Sequence, residues 1–376
     1  MSTRYWFPKA VIGENLEKNV HVEVDEGKIA TIQCDVEPTT GDLVINGVAL
    51  PGFIDTHCHG GNGYFFSDSE VENLESIAEF HLQKGTTTLF ASLVTQEPSF
   101  LLEQVGRLGS QIPFLTVAGI HLEGPWLSEK YCGAHDISAL RKPDKSEIEE
   151  LIFTSNNKIT SVTIAPEIEG ALEAINLLIS RGIVVALGHT DADALTTREA
   201  VTSGASVITH FYSAMRPISH RVTSLALEAL YNKDVFLEFI LDGTHIIPEA
   251  IQILLDTARH KLIAVTDAIS AAGLGDGEVQ LGNIAVVVKN GVAKIKGSEL
   301  LAGSTLTMDR AFKFLMQNFD VSYVEAAKFF AGNAAMKYQL PNVGEIKFGN
   351  FADIVIVNSD HEIEAVLFRG NQVGAN

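Results

Sequence analysis

Short apolar runs alternate with longer amphipathic stretches through the middle of the chain. Eight runs are apolar enough to form buried strands, and they cover residues 52–55, 87–93, 116–122, 159–164, 183–187, 207–208, 235–241 and 262–265. Between them apolar residues recur at helical spacing, as Leu172, Ile175 and Leu178 do. Eight strand and helix units in alternation predict a (β/α)8 barrel of the TIM type. An open, doubly wound parallel sheet shows the same alternation and is the alternative.

The two ends of the chain have a different pattern. Near the start, short runs that contain Val22, Val24 and Ile29 are separated by turn signals, and a similar pattern returns from Gly344 to Gly370. Short runs with frequent turns indicate β-strands joined by hairpins. We therefore predict that residues 1–48 and 344–376 together form a small β-sandwich domain, and that residues 49–343 form the barrel.

The charge and composition exclude several classes of partner. The chain has 27 Lys and Arg against 47 Asp and Glu, a formal net charge of −20, and no cluster of basic residues. Binding to nucleic acid or to an anionic membrane requires such a cluster, so neither partner is expected. We also expect no secretory signal and no membrane span, since the long apolar stretch that either needs is missing. The three scattered cysteines suit a reducing compartment, and we expect a cytoplasmic protein.

Polar side chains with catalytic potential follow nearly every predicted strand. These residues are His57, His59, Thr95, Glu123, Glu167, His189, His210, His245 and Asp267. In a barrel the carboxyl ends of all strands meet at one mouth, where such enzymes place their active sites. The sequence therefore predicts a single site built from distant parts of the chain.

Five of these residues predict a metal site. On a strand His57 and His59 point to the same side, and paired imidazoles suit a divalent transition metal. A carboxylate such as Glu123 is costly to bury at the end of an apolar strand unless a metal or a base accompanies it. His189 and His210 each follow another apolar strand. Four histidines and one carboxylate in matching positions favour a metal over isolated structural roles.

Two further residues stand near the predicted ligands. Asp267 closes the eighth strand, where a carboxylate can accept a proton from an activated water and pass it to a leaving group. Capping of the next element is its alternative role. His121 lies deeper in its strand than Glu123, and we expect it to pack or to support a ligand.

The chain resembles the N-acetylglucosamine-6-phosphate deacetylases of the amidohydrolase superfamily over essentially its whole length. The resemblance rests on motifs in a specific order: PGFID at 51–55 with the two histidines after it, HLEGP at 121–125, APE at 165–167, GHT at 188–190, THFYSAM at 209–215, DGTH at 242–245, TDA at 266–268 and LAGS at 301–304. It implies a metal-dependent barrel hydrolase that removes acetate from a phosphorylated amino sugar, usually as a homodimer.

The resemblance also implies a ligand set for the metal. Glu123, His189 and His210 match the principal ligands, whereas His57 and His59 match a second position that only some members retain. One or two divalent ions are therefore expected. Zinc is the first expectation, and iron, cobalt and manganese are alternatives because the same donors accept them.

The remaining roles follow from the same resemblance. Asp267 matches the general acid and base, and His135 matches the histidine that polarises the acetyl carbonyl. Arg221 and His245 match the residues that bind the phosphate, where the family can borrow from the neighbouring subunit. The backbone amide of Ala214 matches a contact to the sugar phosphate.

One departure leaves the sugar open. Ser213 stands where the family often has Asn, and serine lacks the amide donor, so a hydrogen bond to the substrate is lost or bridged by water. Deacetylation of the galactosamine epimer is therefore an alternative. His220, beside Arg221, is either solvated or adds positive charge to the phosphate pocket.

Two other classes of function fit the motifs less well. Hydrolysis of cyclic amides needs a carboxylated lysine on the fourth strand, and residues 160–167 contain no lysine. A catalytically inactive homologue that only binds sugar phosphate would have no need to keep Asp267 beside a full ligand set.

Overall fold

The computed structural model describes residues 2–68 and 70–374 and contains a barrel of eight parallel strands. In chain order these are β1 (Phe53–Cys58), β2 (Thr86–Val94), β3 (Val117–Glu123), β4 (Ile159–Ile164), β5 (Val184–Leu187), β6 (Val207–Ile208), β7 (Phe236–Ile240) and β8 (Leu262–Val265). Neighbours in sequence are neighbours in the sheet, and a parallel bridge between Cys58 and Ala268 joins its first and last members. The predicted barrel is confirmed. The open doubly wound sheet is excluded, because its strand order would reverse.

Helices follow the strands, as the alternation predicts. They are α1 (Val71–Gln83), α2 (Pro98–Gln111), α3 (Lys145–Thr154), α4 (Ala171–Ser180), α5 (Ala194–Thr202), α6 (Leu225–Tyr231), α7 (Pro248–Ala258) and α8 (Met308–Asn318). Shorter helical segments are Phe66–Asp68, Glu129–Tyr131, Ile137–Ala139, Arg259–Lys261, Tyr323–Ala327, Lys328–Gly332 and Asn333–Lys337. Among the described helices none combines the length and the apolar character that a bilayer crossing requires.

Local sequence explains where these helices begin and which face they bury. Asp193 and Ser224 stand just before α5 and α6, and their side chains accept hydrogen bonds from backbone N–H groups of the first turn. In α4 the buried residues include Ile175 and Leu178, which recur at helical spacing. The caps thus fix where α5 and α6 begin, and the apolar stripe fixes the face that α4 buries.

Both ends of the chain contribute strands to one eight-stranded sheet. Its strands are Thr3–Ile12, Asn15–Asp25, Lys28–Gln33, Leu43–Val44, Val48–Pro51, Ile354–Val357, Ile363–Phe368 and Asn371–Gln372. Its own strands contribute Phe7, Val22, Ile354 and Leu367 to one buried hydrophobic cluster. The strand Ile354–Val357 pairs antiparallel with Val48–Pro51, which brings the two ends together.

By internal contacts the chain divides into two compact units. One contains residues 1–55, 79–88 and 307–376, and the other contains residues 56–78 and 89–306. The domain boundaries predicted from the sequence stay a prediction.

A three-stranded antiparallel sheet follows the barrel's last strand. It consists of Gly277–Leu281, Ile284–Lys289 and Val292–Ile295, and a short pair, Gly60–Gly61 with Tyr64–Phe65, follows β1. Val286 and Ala293 from the three-stranded sheet pack in a buried cluster with Ile269 and Ala302. The sequence analysis assigns no strand to either segment.

Candidate metal centre and active site

The five predicted metal ligands lie together at the carboxyl ends of the barrel strands. His57, His59 and Glu123 form one buried group, and Glu123, His189 and His210 form another, each with its ligating atoms within 4.8 Å of one another. Glu123 belongs to both groups. The structure therefore brings together side chains that lie up to 153 residues apart in the sequence, from His57 to His210.

Glu123 lies between the two pairs of histidines. Its Oε1 is 3.0 Å from His189 Nε2 and 3.0 Å from His210 Nε2, and its Oε2 is 3.2 Å from His59 Nε2. The Nε2 atoms of His189 and His210 are only 3.0 Å apart, and those of His57 and His59 are 3.2 Å apart. Ring nitrogens this close repel each other unless a proton or a cation stands between them. The donor set is therefore that of a centre for one or two divalent cations.

Hydrogen bonds on the far side of three rings orient them toward this centre. His59 Nδ1 lies 3.2 Å from the carbonyl oxygen of Ser92, and His189 Nδ1 lies 2.9 Å from that of Tyr131. His57 Nδ1 lies 3.3 Å from Glu238 Oε2. An acceptor at Nδ1 holds the proton there and leaves the Nε2 lone pair free for a metal.

The charges within the centre require a cation. Burial lowers the pKa of His57, but attraction to Glu123 and Asp267 outweighs burial and raises that pKa well above its ordinary value. Burial raises the pKa of Glu123, but the nearby histidines, His57 first, hold it well below its usual range. In the protein alone, protons on the histidines supply the positive charge that balances these carboxylates. A divalent metal can replace these protons.

Several of these residues turn the backbone at the barrel mouth. His189, His210 and Asp267 have φ values of +48°, +27° and +52°, and Ala214 has +47°. This left-handed conformation costs about 1–3 kcal/mol for residues other than glycine and is found mainly at functional sites. Each of the first three follows a strand end by two residues.

Asp267 stands beside the metal ligands as a carboxylate. Its Oδ1 lies 3.3 Å from His59 Nε2 and 3.5 Å from His57 Nε2. Burial raises the pKa of Asp267, but attraction to His57 and a hydrogen bond from His59 outweigh burial and lower it to about 2. An ionised carboxylate at this point is able to act as a base.

His135 faces the same centre from the loop after β3. Its Nε2 lies 3.3 Å from Glu123 Oε2. The backbone N–H of Thr95 donates to His135 Nδ1 over 3.3 Å. Nδ1 also lies 2.9 Å from Thr95 Oγ1. In the tautomer in which Nδ1 accepts, Nε2 carries the ring proton and can donate a hydrogen bond to a carbonyl oxygen.

A cavity of about 470 Å³ opens over this centre. Its walls include the predicted residues His59, Glu123, His135, His189, His210, Ser213, Ala214, His245 and Asp267. Lys130, Cys132, Leu281 and Leu300 also line it, although the sequence did not single them out. Ligand, proton-transfer and sugar-binding positions thus share one volume, comparable to a typical small-molecule site.

The two predicted phosphate residues differ in their placement. His245 lies in the cavity wall, and its Nδ1 is 2.7 Å from Asp242 Oδ2. Burial lowers the pKa of His245, but the hydrogen bond and attraction from Asp242 outweigh burial and raise it. Arg221 is exposed, donates from Nε to His220 Nε2 over 3.0 Å, and is not among the residues that line the cavity. His220 is exposed, as expected for the solvated role, which is one of the two predicted for it.

His121 occupies a buried position behind the ligands. Its Nδ1 lies 2.9 Å from Ser92 Oγ and its Nε2 lies 2.8 Å from Thr163 Oγ1. Its ring packs edge-on against His57, with centroids 4.6 Å apart. These contacts agree with the packing or supporting role expected from its depth in the strand.

The sequence analysis missed Glu238. This residue lies inside β7, is 2% exposed and contacts His57. The available signal was a lone carboxylate in the otherwise apolar run 235–241.

The model of the amidohydrolase family matches residues 48–373. The chain belongs to the amidohydrolase family. The sequence is 32% identical over 381 residues to the N-acetylglucosamine-6-phosphate deacetylase of Bacillus subtilis (strain 168), covering 96% of this chain and 95% of the relative. It is also 31% identical over 355 residues to the N-acetylgalactosamine-6-phosphate deacetylase of Escherichia coli O157:H7, covering 93% of each. These matches confirm the resemblance stated from the motifs.

A solved structure of this family has the same fold. The N-acetyl-D-glucosamine-6-phosphate deacetylase of Mycobacterium smegmatis, as a mutant in complex with N-acetyl-D-glucosamine-6-phosphate, matches with a TM-score of 0.95 and 35% identity. The match covers 99% of each chain. Both the barrel and the strands from the chain ends therefore have counterparts in that amidohydrolase.

Proposed function

We propose that this amidohydrolase removes the acetyl group of N-acetylglucosamine 6-phosphate, giving acetate and glucosamine 6-phosphate. The observation that carries the proposal is one cavity lined by Glu123, His189, His210, Asp267 and His135. Three metal donors, a base and a carbonyl-polarising donor are the parts that hydrolysis of an amide needs. The relative from Bacillus subtilis, at 32% identity over nearly the whole chain, supports the substrate.

Glu123, His189 and His210 would hold a principal divalent ion, and His57 and His59 would help to hold a second. A bound cation lowers the pKa of water toward neutrality and stabilises negative charge that develops on a carbonyl oxygen. We expect zinc first. Iron, cobalt or manganese would suit the same imidazole and carboxylate donors.

The protein side chains move the protons. Asp267, ionised and next to the ligands, takes a proton from the attacking water and later delivers it to the nitrogen of the departing amine. His135 donates a hydrogen bond from its Nε2–H to the acetyl oxygen and keeps the proton as negative charge grows there. Both groups line the same cavity, so each can reach one bound amide.

The phosphate would bind at the His245 side of the cavity. A net charge of −20 repels an anionic substrate at long range, so binding requires local positive charge, which a protonated His245 provides. The hydroxyl of Ser213 and the backbone amide of Ala214 would bind the sugar. Because Arg221 lies outside the cavity of its own chain, we propose that it reaches the phosphate of a neighbouring subunit in a homodimer.

The galactosamine epimer is the second candidate substrate. The Escherichia coli O157:H7 relative, named for that substrate, is 31% identical, and Ser213 alters a sugar contact. We also propose that the protein is cytoplasmic. Cys34, Cys58 and Cys132 are free thiols, and free thiols are typical of a reducing compartment.

Acetate release tests the proposal directly. The metal-loaded protein would be assayed with N-acetylglucosamine and N-acetylgalactosamine, each with and without the 6-phosphate. Turnover confined to N-acetylglucosamine 6-phosphate is the expected result, whereas preference for the other phosphorylated epimer would transfer the activity to the second candidate. No acetate from any of the four would contradict the deacetylase proposal and direct attention to an inactive, sugar-binding role.

A further inference from the structure

A third buried carboxylate lies behind the metal centre. Glu238, in the middle of β7, is 2% exposed, and it does not line the cavity. A buried carboxylate is costly unless it has hydrogen-bonding or charged partners. Its position therefore calls for a reason other than substrate contact.

The contacts of Glu238 reach ligands of both metal groups. Its Oε2 lies 3.3 Å from His57 Nδ1 and accepts from the backbone N–H of His210 over 3.4 Å, and its Oε1 accepts from Thr56 Oγ1 over 3.2 Å. Its own carbonyl oxygen accepts from the N–H of Phe211 over 2.7 Å. One residue thus contacts the ring of His57 and the strained backbone turn at His210.

A carboxylate acts only as an acceptor, so its partner nitrogen must carry the proton. With the proton of His57 on Nδ1, the Nε2 lone pair points to the centre, where Nε2 lies 3.2 Å from His59 Nε2 and 3.4 Å from Glu123 Oε1. A carbonyl acceptor does the same for His59 and His189, whereas within the described part of the chain His57 is the one ligand of these three whose Nδ1 faces a carboxylate. A negative acceptor makes the imidazole a stronger metal ligand.

We propose that Glu238 is a positioning residue for the second metal position: through His57 Nδ1 it sets the tautomer, the ring orientation and the basicity of this ligand. The inference rests on the proposed metal-dependent function, because it assigns a support to one of its ligands. It predicts a selective effect, because Glu238 contacts the ring of His57, a ligand of only one of the two groups, but contacts His210 of the other group only at its backbone N–H.

Zinc titration into the chelator-stripped protein, in competition with a chromophoric chelator, tests the inference. The wild type is expected to bind two ions. Glu238→Gln, which keeps the size and one acceptor but loses the charge, should weaken one of the two by about tenfold, and Glu238→Leu by about 100-fold. In Glu238→Gln the other affinity should stay within about threefold, because the amide oxygen can still accept from the backbone N–H of His210, and His189 and Glu123 keep their contacts.

A matched control separates positioning from general destabilisation. Asp353 is another buried carboxylate, and it accepts from the backbone of Arg369 away from the metal ligands. Asp353→Asn should lower the melting temperature without changing either zinc affinity. Glu238→Gln should lower kcat and leave KM unchanged, since Glu238 is not a wall of the cavity.

Several outcomes would overturn the inference. They are equal loss of both zinc affinities in Glu238→Gln, no loss of either, or a wild type that binds a single ion. Acetate release by the wild type is measured in parallel. A selective zinc effect in an inactive wild type would overturn the proposed function and leave the inference standing, whereas an active wild type with an unselective variant would do the reverse.

Discussion

Asp267 is the residue on which the proposed proton transfers depend. Its Oδ1 lies within 3.5 Å of His57 and 3.3 Å of His59, but it belongs to neither of the metal-binding groups. Its contribution to turnover is therefore separable from its contribution to metal binding.

Asp267→Asn should retain bound zinc and lower kcat by about 100- to 10,000-fold, because the amide cannot accept the proton of the attacking water. Steady-state kinetics together with metal analysis of the purified variant checks this. Asp256→Asn, on the surface of α7, is the matched control and should behave as wild type. An Asp267→Asn enzyme with more than a tenth of the wild-type kcat would refute the assignment.

His245 provides a prediction about pH. Burial lowers its pKa, but the hydrogen bond that it donates to Asp242 and the attraction of that carboxylate outweigh burial and raise it, so the imidazolium persists above the ordinary value of 6.5 and is lost as pH rises through the raised pKa. KM for the phosphorylated substrate should therefore be lowest below that pKa and increase above it. The rise should be missing in His245→Gln, whose KM should be high at every pH.

The measurement is KM against pH for both proteins, with the unphosphorylated sugar as the control substrate. That sugar carries no phosphate, so its KM should respond much less to His245. Equal pH responses with and without the phosphate would argue that His245 does not bind it.

At the scale of elements, one buried lysine holds the end of a barrel helix. Lys261 is 1% exposed, and its Nζ donates to the carbonyl oxygens of Ala229 over 2.6 Å and Leu230 over 3.2 Å, and also to that of Asn232. These carbonyls lie at the C-terminus of α6, where helices leave acceptors without partners and favour a positive charge.

Lys261→Met should lower the free energy of unfolding by about 2–3 kcal/mol, because it leaves buried acceptors without a donor. Urea denaturation at neutral pH measures this change. Lys233→Met, an exposed lysine close to the same helix end, should change stability by less than about 0.5 kcal/mol. Equal changes in the free energy of unfolding for the two substitutions would show that Lys261 does not stabilise the end of α6.

Elements also show where pattern analysis succeeds. The run predicted at 262–265 is the strand Leu262–Val265, because a strand buried on both faces leaves a continuous apolar run. The hairpin strands Ile284–Lys289 and Val292–Ile295 went unassigned. Their segments mix buried and half-exposed positions, and such short runs give no decisive period.

At the scale of the whole molecule, the metal should contribute to stability. The two metal groups unite β1, β3 and the turns after β5 and β6, so a cation bound there favours the folded state over the unfolded chain. At a free metal concentration near 1,000 times Kd this linkage is worth about 4 kcal/mol.

Chelation should therefore lower the melting temperature by about 5 °C, and added zinc should restore it. Scanning fluorimetry with metal analysis of each sample tests this. An unchanged melting temperature in protein shown to be metal-free would mean that the centre forms without help from the cation.

The proposed homodimer makes a prediction about subunit mixing. Arg221→Ala should raise KM for the phosphorylated sugar by about tenfold or more with little change in kcat, because it removes binding remote from the scissile bond. Arg198→Ala, which removes another exposed arginine, should leave KM unchanged.

Co-expression of Arg221→Ala with Asp267→Asn then distinguishes shared from separate sites. If Arg221 serves the partner's cavity, a mixed dimer has one site with both defects and one intact site, so the mixture should recover about a quarter of wild-type activity at low substrate. If each chain used its own Arg221, the mixture would contain no intact site and recovery would fail.

Local sequence was enough to predict the order of the strands and the chemistry at their ends. Apolar periodicity and donor atoms such as those of His57, His59 and Glu123 are local properties of the chain, so they can be identified without coordinates. Only the folded chain shows that Glu238 lies behind His57, that Thr95 contacts Nδ1 of His135, and that Arg221 stays outside the cavity of its own chain. These facts depend on the packing of segments far apart in sequence, and apolar patterning carries no information about such contacts.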